Sequence, residues 1–425
     1  MNHQLIRLNC RLCGSTELLP SLSLAPTPPA NEFVDNRDAQ DLFPLDVNQC
    51  DNCGHVQLGI VVDPHRLFDN YVYVSGTSPA FVRHFESYAQ TMVSRFGLTH
   101  DDWIVEIGSN DGTLLNCFKQ LGCSNVYGYE PAKEIARTAA NSFGVHVVVD
   151  FFNTLTASYF PHFASVVDPL SDGKAKLVVA NNVFAHVGNL DEIAENVKVI
   201  LHDDGVFVFE VSYFVDVINK CLFDTIYHEH TSYHTVDPLV GFFAKHGMSL
   251  FDVERVDTHG GSIRCYVDKG VRAVENSVAQ LRIMEGAMGL VADCAGFYSF
   301  NALGGLKTKI GVLKHQLTAR VRELKSQGKK IAGYGAPAKA TTLMYEFGLG
   351  PDEIDYIVDD SPWKQGLLTP GKHVPVVSSQ HLVDDKPDYL LILAWNFADV
   401  IIAKNRAFSE SGGKFIVPVP EFMEC

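Results

Sequence analysis

From residue 103 onward, short apolar runs alternate with longer stretches in which apolar residues recur every three or four positions. Trp103-Ile104-Val105 reads as a buried strand, and the following GTLLNCFKQLG reads as an amphipathic helix closed by Gly122. The alternation continues through NVYGYEP (125–131), GVHVVVDFF (144–152), AKLVVANNVFAHV (175–187) and GVFVFEVSYF (205–214). Such a series predicts a doubly wound α/β sheet with a ligand crevice at the strand tips. A second, shorter series begins at KKIAGYGAPAKATTLMYEFGL (329–349) and runs on through IDYIVDDSP (354–362) and DYLLILAWN (388–396). Between the two, residues 272–327 have a helical pattern, with Leu306, Ile310, Leu313, Leu317 and Val321 on one stripe that reads as a core face. The N-terminal residues follow neither rhythm, and the proline-rich SLSLAPTPPANEF (21–33) reads as an ordered loop. Three units are expected: 1–68, 69–270 and 271–425, the last a helical arm plus a smaller α/β domain.

Composition narrows the function classes. At 425 residues the chain exceeds one ordinary core. Its formal charge of −16 argues against a large nucleic-acid footprint, although a local basic pocket for one phosphorylated small molecule stays compatible with it. No apolar run of about 18 residues occurs, and MNHQLIRLNC lacks the apolar centre of a signal peptide. A cytoplasmic protein with no membrane partner is expected, as a monomer or small homo-oligomer. In that reducing compartment the ten cysteines are expected to be thiols or metal ligands.

Four of them form a pattern. Cys10-Arg-Leu-Cys13-Gly14 is answered by Cys50-Asp-Asn-Cys53-Gly54. Each pair has the spacing and trailing glycine of a zinc knuckle, and two pairs supply the closed tetrahedral set of a structural Zn2+. A closed site leaves no position for a substrate, so this metal is expected to stabilise a unit with little core of its own.

The first strand–helix junction carries Glu106-x-Gly108-x-Asn110-x-Gly112. Glycines there let backbone approach a ligand, but the spacing is not that of a dinucleotide fingerprint. An acid at Glu106 suits a cationic ligand better than a pyrophosphate. Glu130 ends the next strand, where an acid can bind ribose hydroxyls. Asp150 ends the third strand, and Asn181, Asn182 and His186 follow the fourth. The arrangement resembles class I S-adenosylmethionine methyltransferases, which implies Glu130 on the ribose and Asp150 near the adenine.

After the fifth strand comes YHEHTSYH (227–234). A zinc-protease motif would need histidine at position 232, where Ser232 stands. His230 and His234 could share a helix face, yet no further ligand cluster is near; a second metal and a plain polar loop remain open alternatives. Proton transfer is the favoured reading. If the methyl acceptor is a carbon beside a ketone, a base must remove a proton and donors must hold the enolate oxygen. A histidine, an orienting carboxylate and tyrosine hydroxyls would do this.

CRLCG, CDNCGHVQL, YVYVSGTS, VEIGSNDGTLL, YHEHTSYH, HGGSIRCYV and GYGAPAKATTL occur here in the order found in nucleotide-sugar C-methyltransferases of deoxysugar biosynthesis, which the whole chain resembles. The resemblance implies methyl transfer from S-adenosylmethionine to a carbon, commonly C3, of an NDP-4-keto-deoxysugar, often dTDP-linked. It implies His230 as base, with Glu229, Tyr227 and His186 in the same site. A tyrosine of NYVYVSGTS also belongs there; Tyr71 and Tyr73 both fit, and Tyr73 is preferred. O- or N-methylation of a sugar nucleotide is the alternative chemistry, and a non-catalytic zinc- and nucleotide-binding scaffold the alternative class.

In the last unit, Gly333-Tyr-Gly335-Ala-Pro-Ala338-Lys339 with Asp359 further on resembles a dinucleotide fingerprint, so a dehydrogenase reading exists. The family uses this Rossmann-like domain without a nicotinamide. Its turn is therefore expected to cradle the sugar nucleotide's pyrophosphate, with Lys339 and Lys364 as compensating charges. Ser262 and Arg264 of HGGSIR are expected to line the shared cleft.

Overall fold

The computed structural model describes residues 4–69, 71, 74–169, 171–258, 260–290 and 301–425. In the N-terminal unit, β1 (Gln4–Ile6), β2 (Leu18–Thr27), β3 (Phe43–Cys50), β4 (Val56–Leu58) and β5 (Ile60–Val62) form two small antiparallel assemblies. β3 alternates buried Phe43, Leu45 and Val47 with exposed neighbours, as a one-faced strand should. The proline-rich stretch is not a loop throughout. Residues 21–27 belong to β2, because Leu22 and Leu24 pack inward against β3, and the register absorbs Pro20 at a shift before Leu22.

The central sheet contains β6 (Ile104–Ile107), β7 (Val126–Tyr129), β8 (His146–Val148), β9 (Ala175–Asn181) and β10 (Leu201–Ser212), all parallel. Later in the chain come β11 (Ser232–Tyr233), β12 (Ser249–Val256) and β13 (Ser262–Asp268). The strand order is β12-β13-β10-β9-β6-β7-β8, with β13 antiparallel to both neighbours. β6 and β7 are buried at every position, which is why they read as continuous apolar runs. Strand order reverses between β6 and β9, and a crevice opens at such a switch point. β11 leaves this sheet and pairs with β4, so the YHEH segment joins the central unit to the zinc unit.

The stretch 272–327 is not one helix. A first helix, Asn276–Ala287, ends at a turn through Gly289, residues 291–300 lie outside the described residues, and a second helix spans Asn301–Ser326. The first docks on the central unit: Glu285 accepts from Tyr213 Oη at 2.8 Å and from the Val236 N–H at 2.7 Å. The second buries Leu306, Ile310, Leu313, Leu317 and Val321, the expected core stripe.

The last unit holds β14 (Ile331–Tyr334), β15 (Ile357–Val358), β16 (Val376–Val377), β17 (Tyr389–Ile392), β18 (Lys414–Val417) and β19 (Met423–Glu424), in the order β16-β15-β14-β17-β18-β19. All pair in parallel except β19. Its switch point lies between β14 and β17. The two crevices open into one cavity of about 1490 Å³. Among the described residues no helix is long and apolar enough to cross a membrane.

Candidate active site

The four knuckle sulfurs lie within 4.8 Å of one another, with Cys10–Cys53 at 3.6 Å and Cys13–Cys50 at 3.5 Å. Disulfides would be near 2 Å. A tetrahedron of Zn–S bonds of about 2.3 Å has edges of about 3.8 Å, so the donor set fits a structural Zn2+. Gly14 and Gly54 take φ of +79° and +75° and donate back to the carbonyls of Cys10 and Cys50, closing each knuckle. This is the one such ligand cluster among the described residues. His230 and His234 do not share a helix, since β11 runs between them, and His234 is packed against His55 and Phe184. His228 bonds the Pro44 carbonyl at 3.2 Å.

At the glycine turn, Gly108 has φ +69°, and a Cβ there would overlap Val183, so the backbone can pass close to a ligand only as glycine. Glu130 receives the Asn110 N–H at 3.0 Å and the Ala132 N–H at 2.8 Å. Burial pushes its carboxyl up to about 7 against those two bonds. Gly108, Asn110, Glu130, Asp150 and Asn181 all line the cavity. Asn181 brings an amide whose N and O are buried and unpartnered, an orphaned polar group that a polar ligand would satisfy. The segment Ser75–Thr77 is tied to the turn by Ser75 N to Asn110 Oδ1 and Gly76 N to Asp111 Oδ2, both 2.9 Å.

Two expectations for this turn need correction. Glu106 lies behind the wall, and burial, with Asp111 and Glu130 adding to it, holds its carboxyl well above the ordinary range. A protonated acid provides no counter-charge for a cation. Gly112 is off the wall as well; a Cβ there would meet Ala139 at 2.8 Å, so it serves helix packing.

The YHEH segment supplies the middle of the cavity. His230 Nδ1 lies 2.7 Å from the Thr225 carbonyl, which can only accept, so Nδ1 carries the hydrogen. Nε2 is then the lone-pair nitrogen, 3.0 Å from Tyr227 Oη. Burial lowers this imidazole to about 4, the Thr225 bond opposing, so it is neutral at pH 7 and can take a proton. The His186 ring is 4.8 Å from that of His230 and stacks on Phe68. Tyr227, His230, His186 and Tyr71 line the cavity; Tyr73 lies outside the described residues. Glu229 sits one layer back, bonded by Asn31 Nδ2 at 2.9 and 3.1 Å and 3.5 Å from Tyr71 Oη.

The far wall comes from the last unit. Gly335 has φ +83°, and a Cβ would overlap Ala394 across the switch point. Lys339 and Lys364 line the cavity. Lys339 stands 4.0 Å over the Trp395 ring, and burial lowers it to about 8 with Asp224 opposing. Lys364 donates to the Ala336 carbonyl at 2.9 Å. Asp359 spends its oxygens on the N–H groups of Ala336 and Ser361, at 2.6 and 2.8 Å. Gly333 does not line the cavity; a Cβ there would meet Ile357 at 2.8 Å.

Ser262 and Arg264 do not line it either. Ser262 bonds the Thr258 carbonyl at 3.1 Å. The antiparallel register sets Arg264 opposite Glu210, which its guanidinium contacts at 2.7 and 2.6 Å while lying 4.4 Å over Tyr88. Sequence reasoning missed Asn31, His84, Asp224 and Trp395. Of these, Asn31 stood in the quoted APTPPANEF, but nothing local tied it to Glu229.

A glycine turn, a strand-end carboxyl and a neutral imidazole line one cavity at the switch point of a doubly wound sheet, and the family comparisons give the class, an S-adenosylmethionine-dependent methyltransferase. Residues 81–252 match the methyltransferase domain family model, residues 10–68 a zinc binding domain, and residues 257–420 the C-methyltransferase C-terminal domain. C-methyltransferase NovU of Streptomyces niveus is 35% identical over 417 residues, 97% of this chain and 95% of that one. The chain belongs to this C-methyltransferase family. Two solved structures of methyltransferases are more distant. Magnesium protoporphyrin IX methyltransferase from Synechocystis PCC 6803 with bound SAM is 12% identical, covering 44% of this chain and 78% of that one at a TM-score of 0.32. A methyltransferase from Clostridium acetobutylicum ATCC 824 is also 12% identical, covering 44% and 92% at 0.34. At that distance neither informs the site.

Proposed function

We propose that the acceptor is an NDP-4-keto-deoxysugar, dTDP-linked, methylated at C3 through an enolate that His230 generates. The observation that carries this reading is the fixed tautomer of His230, with Nε2 as acceptor inside the cavity shared by the glycine turn and two half-buried lysines. His230 Nε2 takes the C3 hydrogen, which the neighbouring C4 ketone acidifies. The C–H electron pair moves into the enolate, whose oxygen takes hydrogen bonds from Tyr227 and His186 in this reading. Bound S-adenosylmethionine supplies the methyl group that C3 gains. Glu130 and Asp150 hold the ribose and adenine end of that donor, and Lys339 and Lys364 offset the pyrophosphate charge of the acceptor.

Incubation of dTDP-4-keto-6-deoxyglucose with the enzyme and a non-transferable donor analogue in deuterated water tests this. Enzyme-dependent loss of the C3 proton is expected, with His230→Asn abolishing it. Methylation on oxygen or nitrogen with no exchange at C3 would replace this reading by the corresponding O- or N-methyl transfer.

A further inference from the structure

Asn31 belongs to the zinc unit, yet it lines the cavity 198 positions from the carboxylate it touches. Its Nδ2 donates to both oxygens of Glu229, at 2.9 and 3.1 Å. Both oxygens take the same nitrogen, which turns the NH2 of the amide towards Glu229. With the NH2 held on Glu229, Oδ1 is the amide atom left to meet a ligand in the cavity that Asn31 lines. The loop that carries this amide is held on several sides. Thr341 Oγ1 bonds the Ala30 carbonyl at 3.0 Å, and Glu346 takes the Ala25 N–H at 2.8 Å. Val34 and Leu368 exchange backbone bonds at 3.2 and 2.7 Å, and Gln40 takes the Gly371 N–H at 2.6 Å.

We infer that Asn31 is a specificity-determining residue, whose Oδ1 accepts a hydrogen bond from a hydroxyl or ammonium substituent of the acceptor sugar near the carbon that is methylated. This rests on the acceptor class proposed above. A fixed carbonyl oxygen offers nothing to a second carbonyl and is left unpaired by a deoxy position. The zinc unit thereby becomes a wall of the acceptor chamber, and not only a clip on a small fold.

The test uses dTDP-4-keto-6-deoxyglucose with its 2-deoxy, 3-deoxy and 3-amino counterparts, on wild type and Asn31→Ala, by kcat/KM and by calorimetric binding. Wild type should favour the donor-bearing sugar over its deoxy partner by about tenfold for a hydroxyl and about 100-fold for an ammonium. Asn31→Ala should erase that preference, and keep the wild-type affinity for S-adenosylmethionine and the zinc content. Asn31→Ser, which retains a small hydrogen-bonding group, should fall between the two and guards against a misfolded alanine variant. Preference persisting in the alanine variant, or equal loss on every acceptor with donor affinity intact, would overturn the inference alone. Failure of wild type to bind any of the four sugars would overturn the acceptor class and this inference with it.

Discussion

Replacing Glu229 by glutamine keeps the shape of a fully buried side chain and removes its ionisation. Burial raises this carboxyl from an ordinary 4.5 to about 7, with Asn31 and Tyr71 opposing the rise. At ~1.4 kcal/mol per pH unit, that gap corresponds to about 3 kcal/mol. The sign follows from which state holds the proton more tightly. Folded Glu229 does, so each step in pH from 4.5 to 7 favours the unfolded chain, and below 4.5 both states are protonated and the penalty vanishes. Glutamine never ionises. Glu229→Gln should therefore match wild type in acid and gain on it as pH rises, by about 2 kcal/mol between pH 5.5 and pH 8. Methyl transfer should fall at the same time, because the carboxylate that orients Asn31 is gone. Urea denaturation of both proteins at those two pH values, alongside turnover, measures both effects. A stability difference that stays flat with pH would refute the buried-acid argument.

Arg264→Met should destabilise the protein by about 3 kcal/mol in chemical denaturation, because Glu210, buried on the same sheet, loses its guanidinium partner and keeps only the His84 ring at 2.8 Å. The acceptor KM should hold, since the guanidinium does not reach the cavity; a rise in KM at unchanged stability would reverse that assignment. Chelating the zinc should release about one ion per chain and lower the affinity for nucleotide sugar, read by calorimetry, because the unit it clips supplies Asn31 to the cavity wall.

Legibility in the sequence followed how local each signal was. Both knuckles were readable because ligands three residues apart with a trailing glycine need nothing distant. Glu130 and Asp150 were readable because strand tips in a doubly wound sheet face one crevice. Glu106 looked equivalent, but the turn residues after it, Gly108 and Asn110, occupy the wall and leave the acid behind them. Arg264 looked like a ligand group in HGGSIR, and only the pairing of β13 with β10 reveals Glu210 opposite it. The tautomer of His230 depends on one carbonyl, that of Thr225, whose direction is fixed by the short helical turn Phe223–Thr225. Asn31 was invisible for a similar reason: its partner is supplied by tertiary packing and has no spacing to betray it. The helical pattern of 272–327 was correct for its apolar stripe and wrong for its continuity, because periodicity does not register the break near Gly289.

The pairing of β11 with β4 means that the strand completing the zinc unit's sheet is donated by the very segment that holds His230. Any chimaera that exchanges N-terminal units between relatives must carry residues 227–235 along with them, or leave the recipient strand edge mismatched. Modularity in this enzyme is thus a matter of threads shared between bodies, and its cutting points do not coincide with the ends of its sheets.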